Sequence, residues 1–389
     1  MKPRFPAARE EKRAALMSAV EDVRAVLAAE ADEAEKMRTL PPASVAALRD
    51  SGLLALKLPE VLGGAEADPV LQSEVFEAVS YINPAAGWCL FIGSASIGMA
   101  GAFLPDTAIA RMFAGERVPT AAAALMPGRM TAVKGGYRLS GRWSWGSGIR
   151  HAEWVLVSTK TTREGGTIEP RIAVVPTAGV EIIDNWHVMG LGGTGSCDFA
   201  TSELFVPEEF TYPVAARPNR GGPLYRLGMP GFVTNEIPAF AIGVGRRALD
   251  EVMELARSKS RGYRKPISIA GRAAFQRMAG ESDLKLRAAR ALANEVAEKS
   301  WRTVCEGRVC DPRMQAEMRA AGVMVMEAAL EVATGAFRFG AGSAVRLENV
   351  LQRCFRDLQT ASAHYMVSDT AFETYGQYML GVPAADPLD

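Results

Sequence analysis

The chain has 389 residues, of which 48% are hydrophobic and 23% are charged, and this composition is that of an ordinary globular protein rather than a disordered one. Lys and Arg number 44, as do Asp and Glu, so the overall charge gives no electrostatic reason to expect a nucleic acid or an acidic membrane surface as partner. Five scattered cysteines without CxxC spacing predict a reduced, cytoplasmic compartment. Three histidines far apart in sequence predict no histidine-rich metal site, although they leave a carboxylate site open.

Residues 1–118 are predicted to form an N-terminal α-helical domain. Helical patterns or helix-starting prolines mark five segments there: 8–32, 40–49, 70–81, the segment after Pro84 and the segment after Pro105. The charged N-terminus lacks the apolar core of a signal peptide. The uncharged segment 87–104 is almost long enough to cross a membrane, but its Gly and Ser residues and the lack of basic flanks favour a buried helix of a soluble protein.

Residues 119–215 are predicted to form a middle domain, an antiparallel β-sandwich or barrel. Its short β-rich runs, separated by Gly, Pro and Asp turns, are 130–134, 137–145, 154–160, 171–176 and 199–206. Helical periodicity returns over 216–389, where the long runs 270–305 and 313–335 predict a C-terminal four-helix bundle. The fold class is therefore α+β, with helices, a sheet and long helices in that order. No phosphate-binding P-loop or dinucleotide-binding glycine motif interrupts this order.

The stretch from Gly135 to Trp154 holds half of the six tryptophans. After a Gly-Gly turn, period-two spacing predicts a strand whose buried face ends in Trp143 and Trp145. Ser147 lies between two glycines, so its hydroxyl and the nearby amides could approach a flat ligand. Taken alone, the stretch is more typical of a core strand of a small β-domain than of a binding site.

Five segments, taken in order, resemble the acyl-CoA dehydrogenase superfamily over essentially the whole chain. They are LPPASVAALRDSGLLALKLPEVLGG (40–64), GRWSWGSG (141–148), SRGYRKPI (260–267), FRFGAGSAV (337–345) and RCFRDLQ (353–359). The resemblance implies a bound flavin, FMN or FAD, and a homotetramer. In the family the second segment contacts the isoalloxazine, the third contacts the flavin phosphates, and the last two close the helical bundle.

Residue by residue, the resemblance implies that Trp145 and Ser147 contact the isoalloxazine ring and that Arg261 meets the phosphate region. Gly340 and Gly342 are assigned to the cofactor site on the same ground. The pattern around these two glycines also predicts a bend between two helices, because the Gly-rich run directly follows a helical run.

The resemblance leaves two branches of the family to be separated. The dehydrogenases place a catalytic carboxylate eight residues after the Asp of an Arg-Asp pair, and counting from Asp357 puts Tyr365 there, directly after His364. An alternative base position, at the start of the helix that follows the β-domain, falls near Glu236.

Three segments resemble the two-component flavin-dependent monooxygenases instead. They are DNWHVMGLGGTGSCDF (184–199), GRWSWGSGIRHAEW (141–154) and RCFRDLQTASAH (353–364). This branch implies reduced flavin, O2 and an NAD(P)H-dependent flavin reductase as partner. The implied reaction passes through a flavin C4a-hydroperoxide and oxygenates a small aromatic or cyclic substrate.

The chemistry of that branch fits the residue types. A flavin hydroperoxide survives only where water is excluded and the flavin N5–H meets an acceptor, and Ser147 could supply that acceptor. His364 could take a phenolic proton or hydrogen-bond the hydroperoxide, since the usual histidine pKa of about 6.5 suits either task. Trp88, Ser96 and Tyr365 are assigned to the substrate pocket.

Three hypotheses about function follow. The first is the oxygenase component of a flavin-dependent monooxygenase, with His364 and Ser147 as catalytic residues. The second is a flavin-dependent acyl-CoA dehydrogenase with Glu236 as base. The third is a non-catalytic homologue that serves as a scaffold or binding protein.

Overall fold

A computed structural model describes residues 5–115, 117–163, 165–262, 267–383 and 386, without the side chains of residues 125–127 and 261. The described chain divides into two compact units. The first comprises Met1–Ala67, Trp88–Val188 and Gly192–Tyr225, and the second comprises Asp68–Gly87, Met189–Leu191 and Arg226–Asp389.

Helices and one sheet build the first unit. Its helices are α1 (Arg9–Ala29), α2 (Ala31–Met37), α3 (Pro42–Asp50), most of the helix over Pro84–Phe103, and the helix over Asp106–Met112. Its strands are β1 (Ala121–Val133), β2 (Gly136–Gly146), β3 (Trp154–Thr162), β4 (Ile168–Pro176), β5 (Glu181–Ile183), β6 (Cys197–Pro207) and β7 (Thr211–Pro213). These seven strands form one sheet in the order β5-β6-β2-β1-β3-β4-β7.

The sheet is mixed, which corrects the expectation of a wholly antiparallel one. β1 pairs antiparallel with β2 through a hairpin in which Gly135 adopts a φ of +81°, a conformation that favours glycine. The chain then reverses again at residues 147–153 and passes to the far side of β1, so that β3 runs parallel to β1. Strand spacing in the sequence cannot reveal this crossing, because a hairpin and a crossover leave the same pattern of strands and turns.

The core of the sheet lies around Trp143. Its indole is fully buried and stacks on Phe199, with ring centroids 5.5 Å apart and planes 16° from parallel. A Cβ atom at Gly128 would lie 2.2 Å from this indole, and one at Gly141 would lie 2.9 Å from it. Glycine is therefore required at both positions so that the large ring can lie flat between strands.

Helices form the second unit. They are α4 (Pro69–Ile82), α7 (Glu236–Ser258), α8 (Ala273–Cys305), α9 (Pro312–Ala344), α10 (Val350–Ala361) and α11 (Thr370–Leu380). The labels α5 and α6 belong to the helices Pro84–Phe103 and Asp106–Met112, which were described with the first unit. A two-stranded ribbon of β8 (Ser260–Arg261) and β9 (Ile267–Ser268) lies between α7 and α8 in the chain. The C-terminal bundle of long helices is thus as predicted.

Side-chain caps begin several of these helices. Asp68 accepts a hydrogen bond from the Leu71 amide at 3.0 Å, and Asp311 accepts one from the Met314 amide at 2.8 Å. In both cases proline follows the capping residue, so the first turn of the helix is fixed by residue type alone. These caps set where α4 and α9 begin.

The helix α7 contacts α4, α8, α9 and α10. A Cβ atom at Gly243 would lie 2.3 Å from the Glu77 carbonyl oxygen, so α7 and α4 approach each other at backbone distance there. Arg290 of α8 forms an ion pair with Glu77 of α4. The first contact packs α7 closely against α4, and the second ties α8 to the same residue of α4.

The bend predicted over residues 340–342 is present. Ala341 has φ 48° and ψ −136°, which interrupts the helical backbone of α9. A Cβ atom at Gly340 would lie 2.6 Å from Leu351 Cδ1, whereas one at Gly342 would meet nothing within 4 Å. Gly340 is therefore needed for packing at this bend, and Gly342 is open to a ligand.

Within the part of the chain that the structure describes, two helices are long and apolar enough to cross a membrane, Pro84–Phe103 and Pro312–Ala344. In the first, 83% of the most apolar window is buried within the protein, and in the second 56% is buried. Core helices of soluble proteins show the same composition, so length and hydropathy alone give only weak support for a membrane span.

Candidate functional site

A strained turn at the end of β2 forms the first part of the site. Trp145 adopts a φ of +62°, which is rare for a bulky residue. The pairing of β2 with β6 shifts register between Trp143 and Gly146, so that a bulge breaks the period-two alternation. The Trp145 side chain is consequently 65% exposed. The prediction that Trp145 lies on the buried face of the strand is therefore wrong.

Ser147 follows this turn. Its amide donates to the Trp145 carbonyl at 2.8 Å, and the next amide, that of Gly148, donates to the Thr194 carbonyl at 2.8 Å. Gly148 has a φ of +78°, and a Cβ atom there would lie 3.0 Å from His151 Nε2. The glycine after Ser147 thus serves the backbone conformation and the packing of His151.

The Ser147 hydroxyl belongs to a buried chain of hydrogen bonds. Trp88 Nε1 donates to Ser147 Oγ at 3.0 Å. Ser147 Oγ shares a hydrogen bond with Ser196 Oγ at 2.8 Å, and Ser196 Oγ shares another with Thr194 Oγ1 at 2.7 Å. All four residues are buried. This chain of hydrogen bonds joins α5, the end of β2 and the loop before β6 within one unit.

Trp88 and Ser96, both assigned to the substrate pocket, lie on α5. The Trp88 ring nitrogen is engaged with Ser147, and the Ser96 hydroxyl donates to the Ile92 carbonyl of its own helix at 2.7 Å. Both side chains are buried. The structure therefore brings Trp88 together with Ser147, whereas the Ser96 hydroxyl is used within its helix.

Basic side chains lie near the loop that precedes β6. Arg38 donates to both carboxylate oxygens of Asp184, at 2.6 and 2.9 Å, and Arg150 donates to Asp184 as well. The hydrogen bonds from Arg38 and the positive charges of both guanidinium groups hold the pKa of Asp184 below its usual value. Arg150 Nε also donates to Cys197 Sγ at 3.2 Å. Arg150 therefore links Asp184 to the residue that follows Ser196.

The second unit holds His364 and Tyr365. His364 begins a single 3-10 turn over Tyr365–Val367, where its Nδ1 atom accepts a hydrogen bond from the Met366 amide at 3.3 Å. Burial lowers the pKa of His364 from 6.5 to about 4, so the ring is neutral at pH 7. Because Nδ1 is an acceptor, the single ring proton lies on Nε2.

The state of the ring bears on both tasks predicted for His364, which stay predictions. Burial disfavours the imidazolium and so places the pKa of His364 below the usual histidine value of 6.5. A neutral ring that carries its proton on Nε2 is a hydrogen-bond donor at that atom and has no free basic nitrogen. His364 lines a cavity of about 530 Å³ in the second unit together with Val323, Met326, Glu327, Leu330, Ser362, Ala363, Tyr365, Val367, Ser368 and Asp369.

Tyr365 and Glu236 are related through charge. Burial and the negative charge of Glu236 raise the pKa of Tyr365, and the positive charge of Arg319 lowers it. Arg319 Nη2 also donates to the Tyr365 carbonyl at 2.8 Å. Glu236 is 3% exposed at the first turn of α7, whereas Tyr365 is 42% exposed. The alternative base and the segment that carries His364 therefore lie close together in one unit.

The predicted cofactor glycines line a separate cleft of about 830 Å³ in the second unit. Its walls are Leu255, Lys259, Ser260, Ile269, Gly340, Ala341, Gly342, Ser343, Arg346, Glu348 and Asn349. Lys259 Nζ donates to Ser343 Oγ, and Arg346 supplies a second cation. Glu348 adds one acidic side chain, so the charged side chains of the cleft sum to +1, a balance that suits an anionic ligand such as a phosphate. Arg261 lies in β8, but its side chain is outside the described part of the chain.

Among the described residues, no three His, Cys, Asp or Glu side chains are grouped so that they could hold a metal ion.

Ser196, Thr194 and Arg319 are among the residues of these clusters that the sequence did not single out. The first two belong to the Gly-Thr-Gly-Ser run that resembles the monooxygenases, but nothing in the sequence pairs them with Ser147. Arg319 is buried in α9, and the signal in the sequence is its charge directly before the apolar run from Ala320 to Met326.

Two family models match the chain, "Acyl-CoA dehydrogenase, N-terminal domain" over residues 9–103 and "Acyl-CoA dehydrogenase, C-terminal domain" over residues 236–369. A pigment production hydroxylase of Rhodococcus sp. (strain ATCC 21145) is 30% identical over 391 residues, which cover 97% of this chain and 99% of the relative. The oxygenase component of an FADH(2)-dependent resorcinol hydroxylase of Rhizobium sp. (strain MTP-10005) is 26% identical and covers 94% of both chains.

Among solved structures, XiaF from Streptomyces sp., in complex with FADH2 and glycerol, superposes with a TM-score of 0.85. It is 25% identical, and the match covers 97% of this chain and 98% of XiaF. The prediction made from the five sequence segments is confirmed by these matches. The chain belongs to the acyl-CoA dehydrogenase superfamily, in its branch of flavin-dependent monooxygenases.

Proposed function

We propose that the chain is the oxygenase component of a two-component monooxygenase that hydroxylates a small aromatic or cyclic compound. Bound reduced flavin supplies two electrons, so that one atom of O2 enters the substrate as a hydroxyl group and the other leaves as water. We assign the supply of reduced flavin to a separate NAD(P)H-dependent flavin reductase. Resorcinol, which the Rhizobium relative is named for, belongs to the substrate class that we expect.

The observation that carries the proposal is the state of His364. The resemblance to the dehydrogenases assigns Tyr365 to the place of their carboxylate, and the histidine beside it is held neutral, with its proton on Nε2. A neutral donor suits a reaction in which an oxygen atom must be hydrogen-bonded, whereas removal of the α-proton of an acyl thioester needs a base. We therefore assign His364 as a hydrogen-bond donor to an oxygen of the reacting groups.

Ser147 and Trp145 are proposed to meet the flavin ring. The fit rests on the chemistry of the donor set: an exposed indole at a strained turn offers a flat surface, and a buried hydroxyl two residues later offers a directed hydrogen bond. Strain of this kind persists where the surrounding structure enforces it, and it often marks a functional site.

The remaining assignments concern the rest of the cofactor and the assembly. We propose that Gly342 and the cations of its cleft hold the phosphates of FAD or FMN together with Arg261. Tyr365 and Trp88 are proposed to border the substrate. We also propose that the protein is a cytoplasmic homotetramer, in which a neighbouring subunit completes the cleft that contains Gly340 and Gly342. Size-exclusion chromatography with light scattering tests the assembly, and a monomer at micromolar concentration would contradict it.

The test of function supplies the purified protein with a flavin reductase, NADH, FAD or FMN, and a panel of phenols that includes resorcinol. We expect a product heavier by one oxygen atom in mass spectrometry and oxygen consumption that requires both proteins. A protein that is yellow as purified and bleached by an acyl-CoA without reductase would support the dehydrogenase with Glu236 as base. No flavin binding at all would support the non-catalytic homologue.

A further inference from the structure

The buried hydroxyl chain behind Ser147 has two possible directions. Trp88 Nε1–H can only donate, so Ser147 Oγ always accepts one hydrogen bond from it. The links from Ser147 to Ser196 and from Ser196 to Thr194 join hydroxyl groups, and in each link either oxygen can be the donor. Reversing both links together preserves both hydrogen bonds.

The two directions leave Ser147 with opposite properties. When Ser147 donates to Ser196, its oxygen accepts from Trp88 and keeps one free lone pair, so Ser147 presents an acceptor. When Ser196 donates to Ser147, both lone pairs of Ser147 are used, and its own hydrogen is left as a donor. The Trp88 hydrogen bond makes these two states exclusive, because it removes the lone pair that would let Ser147 do both.

The two oxidation states of a flavin differ at N5 in the same way. N5 of oxidised flavin is a hydrogen-bond acceptor, and N5–H of reduced flavin is a donor. We propose that Ser196 and Thr194 are positioning residues whose hydroxyl chain reverses with the flavin's oxidation state, so that Ser147 accepts from reduced flavin and donates to oxidised flavin. This inference rests on the proposed function, in which Ser147 meets the flavin edge.

Because the hydrogen-bonded hydroxyl groups are buried, the direction of their hydrogen bonds affects the free energy of flavin binding. Ser147, Ser196 and Thr194 are each at most 6% exposed, so water cannot replace a lost partner. Without the Ser196 hydroxyl, a Ser147 that accepts from reduced flavin would leave its own hydrogen without a buried acceptor. A Ser147 that donates to oxidised flavin loses only one accepted hydrogen bond, which is the smaller penalty.

Ser196→Ala should therefore weaken the binding of reduced flavin more than that of oxidised flavin, by about tenfold in the ratio of the two dissociation constants. Thr194→Val should act in the same direction, since it removes the acceptor that Ser196 needs when Ser147 donates to it. Ser196→Thr keeps a hydroxyl and should leave the ratio near that of the wild type.

The experiment titrates FAD and FMN into the full-length protein, oxidised in air and reduced under anaerobic conditions, and follows fluorescence. Thermal unfolding checks that each variant is folded, and Thr194→Val, which keeps the side-chain shape, decides the outcome where Ser196→Ala does not fold. A preferential loss of reduced-flavin affinity in these variants supports the reversal. Equal losses for both oxidation states would show a structural role only and would overturn it.

Ser147→Ala separates this inference from the proposed function. If Ser147→Ala weakens flavin binding while Ser196→Ala and Thr194→Val leave the affinity ratio unchanged, the reversal is wrong and the flavin contact of Ser147 stands. If Ser147→Ala changes neither affinity, Ser147 does not meet the flavin, and the site assignment and the inference fail together.

Discussion

The donor role of His364 can be tested by replacing it with Gln and with Ala. The amide nitrogen of Gln reaches approximately to the place of His Nε2, so His364→Gln keeps a hydrogen-bond donor there and has no basic atom. His364→Ala removes the donor. If His364 acts as a donor, Gln should retain most of the coupled hydroxylation, and Ala should divert the reaction to hydrogen peroxide.

The magnitude follows from the burial of the ring. The pKa of His364 falls from 6.5 to about 4. Since one pKa unit corresponds to about 1.4 kcal/mol, forming the imidazolium there costs about 3 kcal/mol more than in water. A base role would carry that penalty in the transition state, which is about a hundredfold in rate. A donor role carries none, and removal of a preorganised donor typically lowers kcat by about a hundredfold.

The assay measures hydroxylated product and hydrogen peroxide for each NADH consumed, with the phenol that proves to be the best substrate. We expect the product fraction to follow the order wild type, Gln, Ala, and the wild-type pH profile of kcat to show no limb near pH 6.5. Equal inactivity of the Gln and Ala variants, together with a wild-type limb near pH 6.5, would refute the donor role and restore the base.

Three further predictions concern stability and the cofactor. Burial lowers the folded-state pKa values of His151 and His364 to about 4, so the unfolded chain binds protons first as the pH falls below 6.5. The free energy of unfolding, measured by urea titration, should therefore decrease from pH 6.5 to 4. His151→Gln should make this decrease smaller. An unchanged dependence of the unfolding free energy on pH would contradict the burial of His151. Gly340→Ala should lower the free energy of unfolding by about 1–3 kcal/mol through overpacking. Gly342→Ala should leave the melting temperature nearly unchanged, and it should weaken flavin binding if the cleft holds the cofactor. Trp145→Asn should not lower the melting temperature, because Asn tolerates positive φ and the indole is exposed, yet it should reduce flavin affinity; a large loss of stability would mean that the strain argument is wrong.

Much of the fold could be predicted from local sequence. Proline after a capping aspartate determines where α4 and α9 begin, and the glycines at 340 and 342 predict the bend in α9. Periodicity placed α8, β2, β3, β4 and β6 within about three residues, because helical and strand spacing depend on near neighbours in the chain. It missed the first nine residues of β1 and the last nine of α9. The three-residue strands β5 and β7 were missed, since their partners in the sheet, rather than their own composition, make them strands.

The candidate site was only partly predictable. Ser147 was singled out by its glycine neighbours and His364 by its resemblance to a family motif, but their chemical states were not. The hydroxyl partners of Ser147 come from α5 and from the loop before β6, and no spacing rule connects these segments. The pKa of His364 depends on how much of its ring is buried, which the sequence does not contain.

Sequence by itself determined the family, the order of helices and strands, and the buried face of β2 up to Trp143, because these depend on residue type and on spacing along one chain segment. Only the tertiary structure decided that β3 runs parallel to β1, that a bulge turns Trp145 outward, and that His364 is neutral. Each of these outcomes depends on which distant segments remove water from a group or pair with its backbone. These pairings form only when the folded chain brings the distant segments together.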